Sequence, residues 1–102
     1  MNWVDACAEE TLAEGGTLSM TVGRRLIALV RAGGRYFAID DVCTHDGAPL
    51  TGGEIEGTEI VCPRHGARFC LKTGEALTPP AYEPVRVYET KIDGGRIWVR
   101  VG

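Results

Sequence analysis

The apolar positions of this chain fall into short runs, evenly broken. Leu18, Met20 and Val22 alternate with Ser19 and Thr21, the period of two that predicts a strand with one buried face. Gly23-Arg24 ends that run. Between Arg25 and Arg31 every position is apolar, which predicts a strand covered on both faces. Gly33-Gly34 supplies a tight turn, because glycine tolerates the positive φ such turns require. Arg35 to Asp40 returns as the partner strand, with Phe37 and Ile39 on one side. These segments predict a meander. The scheme recurs near the other end, where Val85 to Ile92, an Asp93-Gly94-Gly95 turn and Arg96 to Val101 predict a hairpin.

The middle breaks this rhythm. All five prolines (49, 63, 79, 80 and 84) lie between Asp41 and Pro84, among several glycines. Strand-like pieces there are brief, Glu59 to Cys62 and Arg68 to Leu71. Long irregular stretches inside a compact domain usually carry function. This one holds both histidines together with Cys43 and Cys62. No linker, charge block or low-complexity tract divides the chain, so residues 1–102 read as one antiparallel all-β domain, a sandwich or barrel, with a distinct unit at about 41–84.

Composition narrows the function. The chain has 102 residues, 44% hydrophobic and 25% charged, which is the balance of a soluble globular domain. A net charge of −3 with no clustered basic surface argues against nucleic-acid binding. The longest apolar run, Leu26 to Val30, is far short of the roughly 20 residues a membrane helix needs. Residues 1–10 carry acids where a signal peptide needs a basic start. These points predict a cytoplasmic protein. In a reducing compartment its four cysteines are ligands, catalytic groups or buried apolar residues rather than disulfides.

Two short clusters carry the chemistry. Cys43-Thr44-His45 is followed, after sixteen residues, by Cys62-Pro63-Arg64-His65. Thiolate and imidazole at such spacings are metal-binding chemistry, suited to a tetrahedral zinc or to a mixed-ligand 2Fe–2S cluster. A zinc site commonly draws both cysteines from one knuckle and both histidines from another. Here each loop offers one of each, which suits two irons, one bound by two thiolates and the other by two imidazoles.

The pattern Cys43-x-His45 with Cys62-x-x-His65 resembles the Rieske iron–sulfur signature. Gly66, Phe69, Thr73-Gly74 and Pro79-Pro80 extend the likeness, which spans nearly the whole chain. It is similar in particular to the small soluble ferredoxins that feed electrons to bacterial ring-hydroxylating dioxygenases. The resemblance implies a Rieske-like fold with a small cluster-binding subdomain. It implies one [2Fe–2S] cluster held by Cys43, His45, Cys62 and His65, with the histidines near solvent. It implies an electron carrier rather than an enzyme, a monomer passing one electron at a time from an NAD(P)H-dependent flavoprotein reductase to a terminal non-haem iron oxygenase of aromatic catabolism.

The departures set the expected potential. High-potential Rieske proteins carry two further cysteines that form a disulfide, and these positions are Ala48 and Arg64 here. They also place hydroxyls where this chain has Ala67 and Phe69. Hydrogen bonds to cluster sulfur favour the reduced state, so their absence predicts the bottom of the Rieske range, which starts at roughly −150 mV. Asp46, Arg64 and Arg68 flank the ligands, and the two arginines read equally as charges that steer an acidic partner or as solvated loop residues. The Pro79-Pro80 loop is expected to shield the cluster, and Gly47, Gly52 and Gly53 read as turn residues, with a backbone N–H to sulfide near Gly47 and Gly66 as the alternative. Cys7 and Cys70 read as buried apolar residues in strands, and Trp3 and Trp98 as packing. Two alternatives stand beside this: a zinc-holding structural or regulatory module, and a Rieske-like small subunit of a reductase such as nitrite reductase.

Overall fold

The computed structural model describes residues 2–44 and 47–101. Among the described residues, ten antiparallel strands form three sheets. The first sheet orders β1 (Trp3–Ala8), β10 (Arg96–Arg100) and β9 (Thr90–Asp93). The second orders β2 (Thr17–Val22), β3 (Arg25–Ala32), β4 (Arg35–Asp40) and β8 (Val87–Tyr88). The third orders β5 (Ile55–Glu56), β6 (Glu59–Val61) and β7 (Arg68–Cys70). The described helical structure is one short 3₁₀ turn, Glu9–Thr11, so no described helix is long enough to cross a membrane.

Strand β3 explains the layering. Ile27 and Leu29 point into a core shared with Cys7, Ala38, Ile97 and Val99 of the first two sheets. The intervening Ala28 and Val30 point the other way, into a second core with Ile39, Leu50, Ile60, Phe69 and Leu71. The unbroken apolar run is therefore the middle layer of three, as its covering on both faces predicts. The β3–β4 turn has φ of +61° at Gly33 and +74° at Gly34, the left-handed pair that a two-residue hairpin needs.

Several boundaries differ from the sequence reading. Residues 85–92 are not one strand. Val87–Tyr88 pairs with β4, whereas Thr90–Asp93 pairs with β10, so the segment changes sheet at Glu89. A period-two pattern shows alternation but not which neighbour a strand will bond. The strand-like pieces of the middle stop one residue early, at Val61 and Cys70, because Cys62 and Leu71 already belong to turns.

Candidate metal centre

Cys43 and Cys62 begin turns of the same construction. In the first, the Cys43 N–H donates to the Ala48 carbonyl at 2.7 Å and the Gly47 N–H donates to the Cys43 carbonyl at 2.7 Å. In the second, the Cys62 N–H donates to the Ala67 carbonyl at 2.7 Å and the Gly66 N–H to the Cys62 carbonyl at 3.0 Å. The fifth residue of each is a glycine at positive φ, +78° at Gly47 and +75° at Gly66. That conformation returns the chain towards its start, and a Cβ there would be strained. The Gly47 and Gly66 N–H groups thus close their own turns. Gly47 is therefore a turn residue, as the sequence reading has it.

A third turn repeats the construction. The Cys70 N–H donates to the Glu75 carbonyl and the Gly74 N–H to the Cys70 carbonyl, with Gly74 at φ +81°. Here the sulfur's surroundings are visible. The Thr73 hydroxyl, and then the amide N–H groups of Thr73 and Lys72, hold the Cys70 thiol below the ordinary thiol range against the opposing effect of burial. At Cys70 it is chiefly the Thr73 hydroxyl, with two turn amides beside it, that favours the thiolate. Cys70 is only half-buried, which corrects its reading as a buried residue. Cys7 is buried, its thiol pushed up by desolvation, and neither residue is in a disulfide.

Cys43 and Cys62 are 0% and 1% exposed and lie in one core with Ala67, Phe69, Leu50 and Ala81. His65 is exposed. His45 and Asp46 lie outside the described residues. Among the described residues, which leave out His45, no three His, Cys, Asp or Glu side chains form a group that could hold a metal ion. A two-iron centre needs only two protein ligands per iron. Two buried sulfurs at the starts of matched turns, with an imidazole on the solvent side, fit a mixed-ligand [2Fe–2S] group.

The proline segment touches both turns. The Thr44 hydroxyl donates to the Glu83 carbonyl at 2.7 Å, and the Arg68 N–H donates to the Thr78 hydroxyl at 3.0 Å. Ala81 is buried in the same core as the two cysteines, and the Pro79-Pro80 peptide is cis.

Arg68 is held in ion pairs rather than presented as a lone charge. Its guanidinium is bonded to Glu56 at 2.8 Å and Glu59 at 3.4 Å across the third sheet. The sequence reading also passed over Asp41, whose carboxylate is buried beside the first turn. The triple turn had a sequence signal, since Cys is followed by Gly four positions later at 43, 62 and 70.

Comparison with known proteins agrees with this geometry. Residues 2–89 match the Rieske [2Fe–2S] domain family. The chain is 39% identical, over 95% of its length and 93% of the relative's, to the ferredoxin component of a naphthalene 1,2-dioxygenase system of Pseudomonas aeruginosa. It is 40% identical, over 97% of its length and 93% of the relative's, to the 3-phenylpropionate/cinnamic acid dioxygenase ferredoxin subunit of Escherichia coli K12. Among solved structures it is similar, at TM-score 0.89 and 33% identity, to a chain in the complex of reduced oxygenase and oxidized ferredoxin of carbazole 1,9a-dioxygenase. That match covers 95% of this chain and 91% of the other.

Proposed function

Because this chain belongs to the Rieske [2Fe–2S] domain family, we propose that Cys43 and Cys62 bind one iron of its cluster and His45 and His65 the other. Residues 41–84 are the cluster-binding unit of a single domain, 1–102. The observation that carries the assignment is the pair of matched turns, each presenting a buried cysteine to one core. The chain is an electron carrier of the dioxygenase-ferredoxin type and carries one Rieske [2Fe–2S] cluster, so the zinc reading falls away.

The bound cluster supplies one-electron redox chemistry, and the chain supplies geometry, shielding and access. The turns hold the two sulfurs away from water. Ala67 and Phe69, both fully buried in the same core, offer no hydroxyl to cluster sulfur, which supports a potential low for a Rieske centre. Exposed His65 gives the electron its route to a partner.

The partners we propose are an NAD(P)H-dependent flavoprotein reductase as donor and a terminal oxygenase of aromatic catabolism as acceptor, with the carrier a cytoplasmic monomer. A ferredoxin and an oxygenase are paired in the carbazole dioxygenase complex. Arg24, Arg25 and Arg86 line one groove with Asp40 and with Val42, the residue before Cys43, so three positive charges there outnumber one negative. Acidic partner surfaces are drawn to that side. The test mixes purified protein anaerobically with NADH and a flavoprotein ferredoxin reductase, then adds a terminal oxygenase of such a system. The account expects bleaching of the visible band and its recovery. A band that neither enzyme changes overturns it.

A further inference from the structure

The second ligand turn is closed by its own hairpin, since Val61 pairs with Arg68 on either side of Cys62 to Ala67. The first turn has no such ladder. Strand β4 bonds β3 and β8, and the next strand, β5, belongs to another sheet. A side chain closes it instead. Asp41, 4% exposed, is the buried charged residue among those described. Its Oδ1 accepts the N–H groups of Leu50 and Thr51, both at 2.8 Å. Its Oδ2 accepts the Thr51 hydroxyl at 2.6 Å and the Ser19 hydroxyl at 2.9 Å. Its own N–H donates to the Leu26 carbonyl at 2.8 Å. One residue thus ties both ends of the 41–51 loop to each other and to β2 and β3, with Cys43 inside the closed ring.

Among the described residues, the four hydrogen bonds to the carboxylate come from neutral donors. They spread its charge without cancelling it, and in a poorly screened interior that charge acts on anything held nearby. Adding an electron to a centre beside a fixed negative charge is disfavoured. We infer that Asp41 is the positioning residue for Cys43 and that its charge biases the bound centre towards the oxidised form. This rests on the assignment of Cys43 as a ligand.

The test is a potentiometric titration of the cluster-loaded protein, followed by EPR, on the wild type, Asp41→Asn and the double variant Ser19→Ala/Thr51→Val. An asparagine oxygen still accepts the two amides, and its NH₂ donates to the two hydroxyls once they rotate. The loop keeps its shape while the charge goes. The midpoint should rise, by about tenfold in the oxidised-to-reduced equilibrium at fixed potential, or ~59 mV for one electron. The double variant removes two of the four donors and leaves the charge less shared, so its midpoint should fall. A merely loosened loop would not move the two in opposite directions. Shifts of the same sign, or none, overturn the inference. If Asp41→Asn does not load, the double variant decides alone, by a fall or its absence. A wild type without a Rieske signal would overturn the ligand assignment as well, whereas a normally loaded wild type with unshifted variants overturns this inference only.

Discussion

Replacing Gly74 by alanine should be among the most damaging small changes in this chain. Gly74 closes the third turn, and its carbonyl accepts the Val85 N–H at 2.9 Å. A Cβ there would lie 2.0 Å from the Val85 carbonyl oxygen and 3.2 Å from Val87 Cγ1, at φ +81°. The left-handed backbone alone costs an L-residue about 1–2 kcal/mol. Forcing a methyl into filled space adds about 1–3 kcal/mol. The sum, about 2–5 kcal/mol, is a large part of the roughly 5–15 kcal/mol that holds a domain folded. Gly66→Ala is the control. Its φ is +75°, but no atom lies within 4 Å of the added Cβ. Only the backbone cost of about 1–2 kcal/mol then applies. At roughly 4–8 °C per kcal/mol, Gly74→Ala should melt at least ~8 °C below the wild type, and further below it than Gly66→Ala. Thermal melts of the cluster-loaded proteins, followed by circular dichroism, measure both. A Gly74→Ala midpoint at the wild-type value, or above that of Gly66→Ala, would refute the steric argument.

Iron and sulfide analysis of serine variants separates the cysteines: Cys43→Ser or Cys62→Ser should lose the cluster, whereas Cys7→Ser and Cys70→Ser should retain it in full. Phe69→Tyr should raise the midpoint potential by placing a hydroxyl in the core that holds Cys43 and Cys62, and redox titration reads the sign. Arg68→Ala breaks two partly exposed ion pairs and should cost less than ~1 kcal/mol in urea denaturation. The Gly34 and Gly33 amides hold the Glu14 carboxyl below the usual carboxylate range. Its contribution to stability is therefore complete above the ordinary glutamate pKa of about 4.3 and is lost as pH falls through the lower folded value. Glu14→Gln should flatten that part of the stability–pH curve.

Much of the architecture was legible because it rests on local rules. The run from Leu26 to Val30 announced a strand between two cores, and Gly33-Gly34 and Gly94-Gly95 announced their turns. The sheet switch at Glu89 was not legible, since it depends on whether β4 or β10 is the nearer partner. The cysteine and histidine spacing exposed the chemistry, but not the turn that shapes it. The Cys-to-Gly interval of four was present three times and acquires meaning only through its hydrogen bonds. Arg68 looked like a surface charge because Glu56 and Glu59 reach it across a sheet, not along the chain. Asp41 stayed hidden for the same reason, its partners lying on β2 and at the far end of its own loop.

The measurement closest to the central claim is EPR of the dithionite-reduced protein, prepared without oxygen, with iron and acid-labile sulfide counted on the same sample. The account predicts two irons, two sulfides and a one-electron signal whose average g lies well below that of an all-cysteine cluster. Zinc without labile sulfide, or a signal with all-cysteine character, would contradict it.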